Sequence, residues 1–138
     1  IHAVDSFKLL TEINKQAAKH NRVIPCLLEL HLAQEATKYG LTPDACTALL
    51  EEGEWKKLDH VQIAGIMCMA SNVDNPTQIH QEFHTAWDYF NEVKQRFFAN
   101  DPNFCKRSWG MSHDYPIAME EGANLVRIGT AIFGEREY

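Results

Sequence analysis

Apolar residues along the chain occur in two alternating patterns, short continuous runs and longer stretches with helical spacing. Because a strand covered on both faces carries apolar side chains on both, the continuous runs predict buried strands. These predicted strands span 1–4, 23–32, 61–69, 104–109 and 125–133. In the stretches between them, apolar residues recur three or four positions apart, as on one face of an amphipathic helix. Five strands that alternate with four helices indicate a parallel sheet with helical crossovers.

Residues with capping preferences predict where the helices begin and end. Asp5-Ser6 supplies an N-cap for the first helix. Thr42 before Pro43 predicts the start of the second helix, and Gly53 predicts its end. Asn75-Pro76 predicts the start of the longest helix in the same way. The fourth helix is predicted over 116–121.

Two architectures fit this order of elements, an open doubly wound sheet and part of a (β/α)8 barrel. A complete barrel takes about 250 residues, so a chain of 138 residues corresponds to roughly four and a half of its eight units. That number agrees with the five predicted strands. If the chain holds the last strands of a barrel, it includes the two loops in which barrels commonly bind phosphate.

Composition narrows the class of protein and of ligand. The 13 basic and 19 acidic residues give a net charge of −6, which argues against nucleic acid, since its binding needs a basic surface. No run reaches the ~20 apolar residues of a membrane span, and no signal peptide is recognisable at the start. The four cysteines are scattered without a C-x-x-C pair, which predicts reduced thiols in a cytoplasmic protein.

The first candidate ligand segment is Gly110-Met111-Ser112, between a predicted strand and a predicted helix. Gly110 would let the backbone approach a ligand closely. Ser112 offers a hydroxyl beside the unpaired amides of the following helical turn, which attract anions. Asp114 is placed to cap that helix. The alternative reading of this segment is a capped helix that follows a strand and binds nothing.

The second candidate segment is Arg127-Ile128-Gly129-Thr130, in and after the last predicted strand. An arginine in an apolar strand needs an acceptor, because an unpaired buried charge is costly. Gly129 and Thr130 supply amides and a hydroxyl for a phosphate. The alternative is an arginine paired with a nearby carboxylate. Two such segments on consecutive parallel strands together favour a ligand that carries phosphate.

His80 and His84 lie four residues apart on the longest predicted helix. This spacing would place two imidazoles on one helix face, as in some zinc sites. The sequence between them lacks the metalloprotease order, and further ligands are missing. A solvated helix face is therefore the favoured interpretation.

Several of these segments resemble the pyridoxal phosphate homeostasis proteins, a family related to the N-terminal barrel of alanine racemase. The resemblance spans essentially the whole chain, and its C-terminal motif is the most specific part. The matching segments are 1–6, 35–41, 65–67, 110–114, 118–123 and 126–136.

The resemblance implies a fold-type III barrel whose last two loops hold the phosphate of pyridoxal 5′-phosphate (PLP). Ser112 would bind the phosphate by its hydroxyl, and Gly129 and Thr130 by their backbone amides. Arg127 would lie against the pyridine nitrogen, where a cation disfavours ring protonation.

The resemblance also implies that Met69 and Met111 pack near the cofactor ring. One departure from the family is large: its members carry a Schiff-base lysine on the first barrel strand, and no lysine here lies in such an apolar context. We therefore expect a single partial domain, 1–138, that lacks the first barrel strands and binds PLP without a covalent anchor.

The function implied is that of a non-catalytic protein of intracellular PLP homeostasis. Two alternatives stay open, a PLP-dependent amino-acid racemase and a partial barrel with no bound cofactor. A racemase would need a second acid/base residue, usually a tyrosine from a separate domain. Because exposed strand edges are adhesive, we also expect the chain to pair with a second copy or with the remainder of the barrel.

Overall fold

The computed structural model describes residues 1, 3–32, 40–71 and 74–127. Helices and parallel strands alternate along the chain. The helices are α1 Phe7–Lys19, α2 Pro43–Glu52, α3 Pro76–Phe97 and α4 Tyr115–Glu120, and the strands are β1 Ile24–Leu30, β2 Val61–Cys68, β3 Lys106–Met111 and β4 Leu125–Arg127. A short 3-10 helix, Glu54–Lys57, follows α2.

The four strands form one sheet in the order β1-β2-β3-β4, and every neighbouring pair is parallel. The predicted first strand is reduced to a single parallel bridge between Val4 and Leu28. Its backbone bonds are those of a strand edge, with Val4 N–H donating to Leu27 O at 3.1 Å and Glu29 N–H donating to Val4 O at 2.8 Å. The predicted order of five segments is therefore retained, although the first segment pairs at one position.

The predicted helix starts are confirmed by their capping bonds. The Ser6 and Thr42 side chains each accept a hydrogen bond from the backbone amide three residues later, at 3.0 and 3.2 Å. Asn75 accepts from the first turn of α3, and Gly53 ends α2 in the left-handed conformation, with φ 73°. These bonds satisfy amides that a helix start otherwise leaves unpaired.

The strands β1 and β2 are slightly shorter than predicted, the last predicted strand is described only to Arg127, and two other elements are shifted along the chain. The third strand begins at Lys106 instead of Phe104, because Phe104 lies in the preceding turn and stacks on Phe98 at 4.3 Å between ring centroids. The fourth helix begins at Tyr115 and ends at Glu120, so Pro116 occupies its first turn, where proline costs no hydrogen bond.

The main core lies between the sheet and the helices. Its largest fully buried side chains include Trp109 of β3, Phe83 of α3 and Phe104, each of which contributes roughly 1.5–3 kcal/mol by leaving water. The opposite face of the sheet carries a second, small cluster of Leu27, Ala64 and Met67. The sheet thus has a helix-covered face and an inner face with few apolar residues.

All four cysteines are free thiols, as predicted, and three of them are buried. Within the described ranges, no helix is both long enough and apolar enough to cross a bilayer.

Candidate functional site

The candidate site lies at the carboxyl edge of the sheet, where β2, β3 and β4 end side by side. Parallel strands place their carboxyl ends along one edge, and ligands of parallel α/β folds bind there. Met111, the last residue of β3, pairs with Arg127 of β4. Met111 of the first predicted phosphate segment is therefore adjacent to Arg127, the residue with which the second segment begins.

The turn after β3 is fixed by Asp114, in a way that differs from the prediction. Asp114 occupies the N-cap position of α4 but makes no capping bond to the helix. Its buried carboxylate instead accepts the Met111 N–H at 2.7 Å. The carboxylate thereby closes the 111–114 turn and holds Ser112 within it.

Gly110 allows close helix packing, whereas the close approach to a ligand predicted for it stays a prediction. Its φ of 115° is one that side-chain-bearing residues rarely adopt, and a Cβ atom there would lie 2.7 Å from Ala118 Cβ of α4. The absence of a side chain lets α4 lie directly on β3. This contact brings the first turn of α4 to the strand end.

The remaining predicted contacts are distributed around this edge. Ser112 is half-buried in the turn after β3, and Met111 is 37% exposed. Met69 is half-buried directly after β2, in a segment held by Glu82 of α3, whose carboxylate accepts the Ser71 hydroxyl at 2.7 Å. The other two predicted residues, Gly129 and Thr130, lie outside the described residues.

Arg127 reaches across the sheet from β4. Its Nη2 donates to the Cys68 carbonyl oxygen at the end of β2, at 3.0 Å, whereas its buried Nε has no hydrogen-bond partner among the described residues. Burial lowers the pKa of the guanidinium, and the nearby Cys68, Glu29 and Asp114 oppose this shift. Arginine nevertheless stays charged, so a cation with an unused buried donor points to an acceptor at this edge.

Three residues that the sequence did not single out also belong to the inner face or to this edge. Ser108 of β3 is fully buried and His31 follows β1, and both have a buried side-chain atom without a partner among the described residues. Glu29 of β1 is 6% exposed, and burial raises the pKa of its carboxyl, with Asp5 adding to the rise. Successive strand residues point to opposite faces of a sheet. Since Trp109 belongs to the helix-covered core, the sequence could have placed Ser108 on the inner face.

The sequence favoured a solvated helix face for His80 and His84. In the structure this face is only partly solvated. Both imidazoles contact Glu121 at the end of α4, at 3.1 and 3.0 Å. No group of histidine, cysteine, aspartate and glutamate residues in the described part of the chain has the arrangement of a metal site.

The described lysines lie away from the candidate site. Most are on α1, α3 or the 3-10 helix, and Lys106 is exposed at the start of β3, the opposite end of the strand. The described residues thus supply a turn, a hydroxyl and an arginine but no amine for a covalent bond. The chemistry of the Ser112 hydroxyl and the Arg127 guanidinium is compatible with an anionic ligand that carries an acceptor nitrogen.

A parallel sheet whose strands pair in chain order, with helices between them, defines the class as a portion of an α/β barrel. The family model of the alanine racemase N-terminal domain matches residues 1–137. The chain belongs to this family.

Curated relatives of the chain are pyridoxal phosphate homeostasis proteins. The protein of Aquifex aeolicus (strain VF5) is 36% identical over 138 residues, which cover 100% of this chain and 58% of the relative. The protein of Vibrio cholerae is 32% identical over 139 residues and is covered to 56% of its length. The chain therefore spans a little more than half the length of these relatives.

Solved structures confirm the predicted fold class, a portion of a parallel α/β barrel. PipY of Synechococcus elongatus PCC7942 without PLP superposes with a TM-score of 0.85 at 31% identity, over 97% of this chain and 60% of PipY. The same protein with PLP bound gives a TM-score of 0.81 at 29% identity and the same coverage. Alanine racemase of Clostridium difficile 630 gives 0.68 at 16% identity, over 99% of this chain and 34% of the racemase, which shows a shared fold alone.

Proposed function

We propose that this chain binds pyridoxal 5′-phosphate and belongs to a non-catalytic protein of intracellular PLP homeostasis. Arg127 carries the proposal: it lies at the carboxyl edge of the sheet, beside the Gly110–Ser112 turn, with a buried Nε donor that no described residue accepts. Relatives named for PLP homeostasis, and PipY with PLP bound, support the identity of the ligand.

The proposed contacts divide the cofactor between two segments. The hydroxyl of Ser112 and the amides of Gly129 and Thr130 hold the phosphate, Arg127 faces the pyridine nitrogen, and Met69 and Met111 pack beside the ring. Asp114 supports this arrangement indirectly, because its bond to Met111 N–H fixes the turn that contains Ser112. The ends of β3 and β4 thus hold the phosphate and the ring, and Met69 adds a contact from the end of β2.

The absence of catalysis is part of the proposal. It is supported by the names of the curated relatives, which are homeostasis proteins and carry no enzyme name. The racemase alternative draws on the family model, which describes the N-terminal domain of alanine racemase, and on racemase structures whose identity of 16% bears on the fold alone. The free state of all four thiols supports a cytoplasmic location.

The test is a titration of PLP into the chain and into an Arg127→Ala, Ser112→Ala double variant. Loss of one charge-assisted bond costs about 1.5–3 kcal/mol, so the affinity should fall by roughly ten- to a hundredfold or more. Arg96→Ala is the matched control, because Arg96 is an arginine of α3 that pairs with Glu51 on the outer surface, at 2.6 Å. Its affinity for PLP should equal that of the unmodified chain.

Two results would contradict the proposal. Equal affinities for the double variant and Arg96→Ala would show that PLP binds elsewhere or nonspecifically. Borohydride reduction that leaves a stable adduct on this chain would contradict the expectation that it binds PLP without a covalent anchor.

A further inference from the structure

The carboxylate of Glu121 joins α3 to α4 outside the candidate site. Glu121 is the C-cap residue of α4. Its Oε1 lies 3.1 Å from His80 Nδ1, and its Oε2 lies 3.0 Å from His84 Nδ1. The two imidazoles are one helical turn apart on α3, so one carboxylate bridges both of them.

The second ring nitrogen of each imidazole also faces a carboxylate. His80 Nε2 lies 3.5 Å from Glu120 Oε2, and His84 Nε2 lies 3.4 Å from Asp88 Oδ2. A neutral imidazole donates from one nitrogen only, whereas an imidazolium donates from both. Carboxylates at both nitrogens therefore match the protonated ring, and a neutral ring would direct a lone pair at one of them.

The end of α4 also packs on α3 through Gly122. A Cβ atom on Gly122 would lie 2.3 Å from Trp87 Cε3. Arg107 of β3 donates from its Nε to the Gly122 carbonyl oxygen at 2.6 Å and lies over the Trp87 ring, at 5.1 Å. The charged groups placed around this junction are thus three carboxylates from α3 and α4 and the Arg107 cation from β3.

The position of α4 matters for the candidate site because this helix connects its two segments. Its first turn follows the 111–114 turn, Ala118 packs on Gly110, and the chain then enters β4 and Arg127. A looser contact between α3 and α4 would shift the Ser112 turn relative to Arg127. The ion pairs at Glu121 would therefore influence, from outside the site, how Ser112 and Arg127 are placed relative to each other. We call these two residues and their strand ends the phosphate cradle.

We propose that His80, His84 and Glu121 form a pH-sensitive clamp that holds α4 on α3 and thereby regulates the affinity of the phosphate cradle. The clamp itself stands on the contacts above, whereas its regulatory effect rests on the proposed function. Burial raises the pKa of the Glu121 carboxyl, but the bonds from His80 and His84 outweigh burial, so that this pKa is lowered. The carboxylate thus stays ionised at mildly acidic pH.

The sign of the pH effect follows from the two kinds of group. The clamp needs an ionised Glu121 carboxylate, whose lowered pKa keeps it charged in mild acid, and imidazolium rings, which donate from both nitrogens. Because histidine is the residue type that loses its charge as the pH rises through the neutral range, the clamp is stronger at pH 5.5 than at pH 8. Pairs that are as exposed as His80 and His84, at 37% and 58%, change equilibria by about two- to fivefold.

The first experiment measures stability by urea denaturation at pH 5.5 and pH 8. We compare the unmodified chain with a His80→Asn, His84→Asn double variant, with Glu121→Gln, and with His20→Asn as the remote control at the end of α1. At pH 5.5 both the double variant and Glu121→Gln should be destabilised, the double variant at least as much because it also loses the contacts with Glu120 and Asp88, and at pH 8 the difference from the unmodified chain should shrink. A destabilisation that is the same at both pH values, or the same for His20→Asn, would overturn the clamp.

The second experiment measures PLP affinity at the same two pH values. PLP changes its own phosphate ionisation over this range, so the informative quantity is the ratio of affinities at pH 5.5 and pH 8. This ratio should be about two- to fivefold larger for the unmodified chain than for the double histidine variant. Equal ratios would overturn the regulatory role even if the stability effect is present. Absence of PLP binding in all proteins would refute the proposed function and its regulation, while the stability comparison would still decide the clamp.

Discussion

Replacement of Gly110 by alanine separates two roles that a glycine at a strand end can have. The structure assigns Gly110 to packing, since an added Cβ would lie 2.7 Å from Ala118 Cβ and 3.2 Å from Val126 Cγ1. Real Cβ contacts are longer, so either α4 or β4 must move away. If the sequence-based idea of close ligand approach were right instead, the substitution would affect binding more than folding.

The expected cost of Gly110→Ala has two parts. A side chain at φ 115° strains the backbone by about 1–2 kcal/mol, and overpacking against α4 adds about 1–3 kcal/mol. The sum of roughly 2–5 kcal/mol is a large share of the stability of an ordinary domain. Gly53→Ala isolates the first part, because Gly53 also has positive φ, at 73°, but a Cβ there would meet nothing closer than 3.9 Å.

Urea denaturation of both variants provides the measurement, with the slope compared between variants to check that the same surface is exposed. Gly110→Ala should lose about 1–3 kcal/mol more than Gly53→Ala, which is the overpacking part alone. Equal losses in the two variants, together with weaker PLP binding only in Gly110→Ala, would refute the packing argument and restore the ligand role.

Three further predictions concern thiols, a buried carboxyl and assembly. A thiol reagent should label Cys105 quickly in the folded chain and the other three cysteines only on unfolding. These three are buried, and burial raises the pKa values of their thiols, that of Cys46 to about 11. Labelling of two or more thiols in the folded chain would contradict this prediction. Glu29→Gln should stabilise the chain at pH 7 and not at pH 4. A carboxyl whose pKa is raised in the folded state contributes stability that is lost as the pH rises, and glutamine removes the buried charge. A gain in stability of equal size at both pH values, measured by denaturation, would refute burial of the charge as the cause. Light scattering should detect pairing with a second copy or with the remainder of the barrel, and a stable, well-folded monomer would count against it.

The order of the elements was predictable because each depended on local signals. Continuous apolar runs identified β1 and β2, and the Asn75-Pro76 pair identified the start of α3. The bounds of β3 were less accurate, since Phe104 has the side chain of a strand residue but stacks on Phe98, which is distant from any local pattern. Hydrophobicity alone does not distinguish a core residue in a turn from a core residue in a strand.

The candidate site was predictable in its position but not in its internal contacts. The sequence placed Ser112 and Arg127 at neighbouring strand ends, and the sheet order agrees. It did not show that Asp114 would bind the turn instead of capping the helix, or that His80 and His84 would meet Glu121. These contacts depend on how α4 lies across α3, which spacing along one helix does not determine.

The strand order of this sheet is also the order of synthesis. Each strand pairs with the one that precedes it in the chain, through a parallel crossover that contains one helix. A strand leaving the ribosome therefore finds its partner already made, and no strand has to wait for a later one before it can pair on one side. Because domains begin to fold during translation, the sheet can grow one βα unit at a time, and among the described strands β4 with Arg127 joins after the other three.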